Sequence, residues 1–438
     1  MIEKRDNNQG LHGIRVKKSS VEWLFIILLL LFSFINSMTL LISMIFILFL
    51  LKQKQVGAIK VINILTLRTI INPGIAIGMD SWQNLKWIIL FCCALYLIIS
   101  FKKLNMSDWL KVRSIILLVL VFGLYSVITA FIFSSLPIVA IFKLVSYIFI
   151  FLSVIIGVGI TYKKFDWIGW MLKLYLLILL PSIIFIGLPL GYLRNGYSFQ
   201  GITNQPNMLG IVLVLFVAIV LAYLEISKKK YSFHYLLLFI AITMVILSKS
   251  RTSLIGCIIL ILLFIVLLNL NKTLKISLVS LGSVGSIFVL LSSNIEGFLS
   301  SFFLKGQESG NILYSRLNQL DSLLMNFWDN PLFGKGFMVP VLPYKSYEFS
   351  SDYIIEAGNL FIAVLSFSGI FGFLIFLTYI FKIFWMGNKR LIYLPISTIL
   401  ISMGEMVFFS SNNIGIWLYM YLSLYLFYRE TNFNVVDD

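Results

Sequence analysis

Apolar positions in this chain fall in long blocks, each bounded by a short polar or basic stretch. A helix that crosses a bilayer needs about 20 apolar residues, range 17–25. On that measure the blocks predict helices near 22–36, 38–51, 61–78, 85–100, 113–133, 138–161, 167–190, 206–226, 235–249, 252–270, 276–293, 358–384, 391–410 and 414–428. The first two read as a tight hairpin or as one long helix. The 61–78 block holds Arg68 and Asn72-Pro73-Gly74, so it reads as a span or as a re-entrant segment. The expected fold is therefore an all-α polytopic integral membrane protein with 12–14 transmembrane helices. No repeat of fixed period is visible.

Composition agrees with this pattern. Of 438 residues, 60% are hydrophobic and 12% charged, against about 25% charged in a soluble domain. Such a chain has too little polar surface to cover a water-soluble particle, which excludes an ordinary soluble enzyme, a disordered protein and a disulfide scaffold. A helix bundle in lipid has no water-limited core size, so residues 1–438 are read as a single membrane domain. Cys92, Cys93 and Cys257 lie in apolar runs without metal-ligand spacing, and read as lipid-facing or packed thiols. Residues 1–21 form a basic tail followed by apolar sequence with no small-residue cleavage site, expected as a retained cytoplasmic anchor.

The net charge of +16 changes the picture only through its placement. Basic residues cluster between blocks at Lys52/Lys54/Lys60, Lys102/Lys103, Lys163/Lys164, Lys228/Lys229/Lys230, Lys272/Lys275 and Lys389/Arg390. These are positive-inside signals facing anionic lipid, not a nucleic-acid surface. Residues 294–357 break the pattern, with seven acidic residues against four basic. This longest non-spanning stretch is expected outside the cell as one large extracytoplasmic loop, with both termini cytoplasmic. The same topology puts residues 191–205 and the Ser248-Lys249-Ser250-Arg251 turn outside, and every basic cluster inside.

Ionisable groups at membrane depth or at a helix mouth are costly and so mark candidate sites. The outer half carries Arg68, Arg194, Arg251 and Arg316. A guanidinium grips phosphate oxygens bidentately and stays charged when partly buried, so these four point to an anionic, phosphorylated, lipid-linked ligand. Arg251 reads either as a snorkelling charge at a helix end or as part of that site. In the external loop, Leu313, Leu317, Leu320, Leu324 and Phe327 form an apolar stripe at helical spacing, predicting an amphipathic helix on the bundle mouth. Arg316 falls beside this stripe, with Asn318, Ser322 and Asn326 on the opposite side. It reads as a ligand for lipid headgroups or for substrate. Glu356 reads as a surface acid or as a general base at a low-dielectric mouth. Glu405, within the 391–410 block, is expected to face the bundle and pair with another group. His12 and His234 fall on the cytoplasmic side. No nucleotide-binding loop, zinc motif or serine-hydrolase elbow is present, and neither cofactor nor metal is expected.

The polar segments, taken in order, resemble the bacterial O-antigen ligase and polysaccharide polymerase (Wzy-type) family. The matching pieces begin with Gly201-Ile202-Thr203-Asn204-Gln205-Pro206-Asn207-Met208-Leu209-Gly210 opening a helix, and Ser248-Lys249-Ser250-Arg251-Thr252 between two helices. Arg316 in the external helix follows, then Asn330-Pro331-Leu332-Phe333-Gly334-Lys335-Gly336. Glu356-Ala357-Gly358-Asn359 and Gly369-Ile370-Phe371-Gly372 complete the set, so the resemblance covers roughly residues 200–380. It implies a metal-independent glycosyltransferase of the bacterial inner membrane acting on undecaprenyl-diphosphate-linked oligosaccharides at the outer face. Ligase-type members usually carry His-Asn where this chain has Gly358-Asn359, which favours a repeat-unit polymerase of capsule, exopolysaccharide or O-antigen.

On that reading Arg251 and Arg316 stabilise the departing diphosphate and Glu356 is the candidate base. Arg68, Arg194, Asn207, Lys249 and Asn359 are candidate substrate-binding residues. Partners would be the lipid-linked oligosaccharides, membrane lipids, a chain-length regulator and a flippase, and no nucleic acid. The rival readings are a lipid-linked oligosaccharide flippase, a ligase-type glycan transferase and a non-catalytic assembly partner.

Overall fold

The computed structural model describes residues 18–227, 232–267, 314–339 and 358–428, without the side chains of residues 18, 19 and 314–319. The expected 276–293 helix, most of the 294–357 loop, His12, Lys228–Lys230, Lys272, Lys275 and Glu356 lie outside these residues.

Helices and their connections make up the described residues, and the one β-type pairing among them is an isolated bridge between Ile71 and Thr203. In chain order the helices are α1 (Lys18–Phe32), α2 (Ser37–Phe46), α3 (Gln55–Thr69), α4 (Gln83–Ile99), α5 (Met106–Phe133), α6 (Pro137–Thr161), α7 (Trp167–Ile184), α8 (Pro206–Ile226), α9 (Ser232–Leu247), α10 (Arg251–Leu267), α11 (Tyr314–Asp329), α12 (Leu360–Met386), α13 (Tyr393–Ser402) and α14 (Gly415–Phe427). Among the described residues, six helical stretches are long and apolar enough to cross a membrane, and six shorter ones are apolar. The first two blocks are a hairpin: α1 and α2 meet at Asn36, whose side chain accepts from the Thr39 amide and caps α2.

Large apolar side chains line the outside of the bundle, with Phe142, Ile184 and Trp385 each at least 70% exposed. In water such a surface would aggregate; in lipid it is the solvent-matched face. The interior is built on α8 and α14, which are apolar and buried all round, together with α3. α3 buries Gln55, Lys60, Asn63, Thr66 and Arg68, so polar groups inside the bundle must find partners there.

They do so differently at the two ends. At the end carrying the basic clusters, Lys60 donates to Glu22 and to Gln53 (2.7 Å) and lies over the Phe165 ring. Asp108 is fully buried and accepts from Tyr162 at 3.2 Å, with Lys163 at 3.4 Å. At the opposite end, main-chain bonds stitch the loops together: Ile77 to Phe34, Asn72 to Ile202, Asn204 to Ile70 and Phe199 to Leu247.

Three predicted elements shift. α3 begins at Gln55 and ends at Thr69, because Asn72 turns the chain back by accepting from the Gly74 amide. The 391–410 block is not one span. α13 stops at Ser402 and α14 starts at Gly415, with irregular chain between them that holds Glu405. At about 1.5 Å per residue these two helices rise only about 15 and 20 Å, short of the roughly 30 Å hydrocarbon layer. The packed face of α11 is also rotated from the expected stripe: Leu323 and Asn326 are buried, while Leu324, Met325 and Trp328 are exposed. Leu323 packs on Ala363 and Phe367 of α12.

Candidate functional site

The site is assembled on four consecutive residues in the break between α13 and α14. Met403 Sδ lies 4.0 Å from Asn359 Nδ2. Gly404 is pressed so closely on Thr252 that a Cβ there would overlap its side chain. Glu405 Oε1 accepts from Asn207 Nδ2 at 2.8 Å. Met406 packs against the cluster of Leu323, Ala363 and Phe367 that joins α11 to α12. Residues 403–406 thus meet, one after another, the starts of α12, α10 and α8 and the flank of α11.

Local chemistry explains each approach. α8 opens with Pro206 in its first position, where the missing amide costs nothing, and this sets Asn207 in the first turn. One turn on, Gly210 leaves room for Ser250 and Ser253. α9 ends at Leu247, and Lys249 takes a left-handed conformation (φ 53°) that reverses the chain. Arg251 and Thr252 are then the first residues of α10. Asn359 caps α12 by accepting from the amides of Phe361 and Ile362. The irregular chain after Glu405 is held inside the protein, with Tyr419 donating to the Phe408 carbonyl at 2.8 Å. Broken helices at such depth occur where protein or a cavity shields their main chain.

α11 is fixed to this assembly through a second helix break. Gly369 in α12 has φ 62°, a conformation that interrupts the helical bonding. The freed groups are taken up by the Asn330–Gly336 motif: Lys335 and Gly336 amides donate to the Ser366 and Phe367 carbonyls (3.1 and 3.0 Å), and Ile370 donates to Pro331 (2.8 Å). Tyr125 closes the joint by donating to Ser368 and Leu332 carbonyls (2.9 and 3.2 Å). This seats α11, with Arg316 in its first turn, beside the start of α12.

The first turns of α8, α10 and α12 therefore surround one turn of chain. Each helix start turns the positive end of its dipole this way, which favours a bound anion. Arg251 adds a full positive charge at one of them.

Among the sequence-selected residues, Asn207 and Asn359 come together at residues 403–406, and Arg251 precedes Thr252, which Gly404 touches. Lys249 turns instead toward the 191–205 loop, with its ammonium 5.1 Å from the Tyr197 ring. Arg194 is exposed in that loop, where its amide donates to Gln200. Arg68 is 3% exposed; its guanidinium donates to Ser33 Oγ (2.8 Å), Ser33 O (3.1 Å) and the Ile77 carbonyl, tying two loops together. Arg316 belongs to α11, and its side chain is outside the described part. Glu405, expected to pair within the bundle, does pair, but at a helix break rather than inside a span. The sequence reading gave no place to Lys143 of α6, which donates to the Met338 carbonyl at 3.0 Å and so helps hold the chain after the Asn330–Gly336 motif. A lone lysine in an apolar run was the available signal.

Residues 236–377 match a family model described as O-antigen ligase. The matched segment spans α9 to the middle of α12, and includes Lys249, Arg251, Arg316, Glu356 and Asn359. Asn207 and Glu405 lie on either side of it. No curated protein matches the chain.

Proposed function

We propose that the protein is a polysaccharide repeat-unit polymerase, a membrane glycosyltransferase that joins undecaprenyl-diphosphate-linked oligosaccharides at the outer face of the plasma membrane. The observation that carries this reading is the gathering of three helix starts, one of them begun by Arg251, around residues 403–406, at the end of the bundle opposite the basic clusters. The positive-inside rule sets that end outward. The O-antigen ligase match over residues 236–377 supports lipid-linked glycan chemistry.

The donor is a glycan on a lipid diphosphate and the acceptor a sugar hydroxyl of a second lipid-linked repeat. The hydroxyl oxygen attacks the anomeric carbon, the carbon–oxygen bond to phosphate breaks, and its electron pair leaves on the lipid diphosphate. The leaving oxygen gains negative charge as the bond breaks. Arginines and amides already in place stabilise that developing charge more than the ground state. Arg251 and Arg316 take this role, Asn207 and Asn359 line the sugar and phosphate path, and the base is Glu356 or Glu405.

Transfer to a different acceptor, as in a ligase, is favoured by the family description, while Gly358 in place of the usual histidine favours polymerisation. The test is incubation of purified protein with lipid-linked repeat units extracted from cells lacking it. A polymerase yields a ladder of lipid-linked oligomers without added protein. A single transfer to a non-repeat glycan identifies a ligase. Absence of any glycosidic product, with inward accumulation of repeats in the deletion strain, identifies a flippase.

A further inference from the structure

We infer that Glu405 is the general base that takes the acceptor proton, and that Asn207 positions it; this rests on the transferase reading above. Glu405 is half-buried rather than sealed, in the break between α13 and α14. One carboxylate oxygen accepts from Asn207 Nδ2 at 2.8 Å, which fixes the orientation of the group. Its preceding residue touches Thr252, next in sequence to Arg251, so base and leaving-group cation would flank one anomeric carbon. Its following residue packs against the α11–α12 cluster. A structural carboxylate of this protein differs in burial: Asp108 is fully buried. In the step assigned here, the acceptor O–H proton passes to Glu405 as its oxygen bonds to the anomeric carbon, and the lipid diphosphate departs with the electron pair. Glu405 then releases the proton to water.

Glu405→Gln is the informative variant, because its amide oxygen still accepts from Asn207 while it no longer takes a proton. With extracted lipid-linked repeats as probe, kcat falls about 10²- to 10⁴-fold, with KM for the repeat and the unfolding midpoint in detergent unchanged. Asn207→Ala lowers kcat in the wild-type background and adds nothing in the Glu405→Gln background. Glu405→Gln turning over within about threefold of wild type overturns the assignment, as does Glu356→Gln abolishing turnover while Glu405→Gln retains it. If wild-type protein itself forms no glycosidic product, the transferase reading fails instead, so the two failures are told apart by the wild-type lane.

Discussion

Two polar regions of this bundle lie at opposite ends and are built on opposite principles. At the basic end, Lys60 with Glu22 and Gln53, and Asp108 with Tyr162 and Lys163, form sets in which each buried charge is met by a side chain from another segment. At the other end, polar groups are delivered by helix starts and by breaks in helices, and they converge on residues 403–406. Side-chain pairing within continuous helices makes a clamp. Interrupted helices make a recess, because each break turns main-chain amides and carbonyls toward a common space. A buried charge in a membrane protein is thus informative only together with the state of the backbone that carries it.

The comparison is tested most severely by Lys60→Met. It leaves Glu22 in a largely buried position without its cation, and should cost about 3–5 kcal/mol of stability, read as a lower SDS midpoint in mixed micelles. Protein that remains folded should elongate at the normal rate, and a specific loss of kcat would show that the clamp belongs to the chemistry. The double change Glu22→Gln with Lys60→Met should recover much of the loss. Arg251→Ala reverses the pattern: elongation falls about 10²- to 10³-fold, or about 3–4 kcal/mol in the transition state, with an unchanged midpoint. Normal chain length in this variant would remove Arg251 from the mechanism. Gly369→Ala tests the break itself, at about 1–3 kcal/mol for backbone strain alone, since the added Cβ also meets the Leu332 main chain. The smallest effect is Asn359→Ser, which keeps a capping oxygen and shifts stability by less than about 1 kcal/mol. Its measurable outcome is a raised KM for lipid-linked repeats, and an unchanged KM would confine Asn359 to capping.

Much of this was legible in the sequence. Long apolar blocks identify their helices because lipid requires an uninterrupted run, and the segments at Asn207, Arg251 and Asn359 were chosen as helix starts and do meet. The rest was hidden for physical reasons. The α13–α14 break lies in sequence apolar enough to pass for a span, and what marks it is Gly404 and the contact it makes with Thr252. The rotation of α11 escaped an apolar-in, polar-out reading, since Leu324 of the expected stripe is exposed while Asn326 of the opposite side is buried. Arg68 was grouped with the other arginines by residue type and by its expected place in the outer half. Its bonds to Ser33 and Ile77 depend on loops adjacent only after folding.

The joint between the Asn330–Gly336 motif and the bend in α12 is made with peptide groups on both sides. Apart from Tyr125 and the Asn330 side chain, which donates to the Gly334 carbonyl, its specificity resides in geometry rather than in side-chain identity. Replacement of Phe333 or Lys335 would leave the interlocking carbonyls and amides in register. Distant versions of such a protein can therefore diverge at most of these positions while keeping the same hinge-like fastening, with spaced glycines as its main visible trace in an amino-acid string.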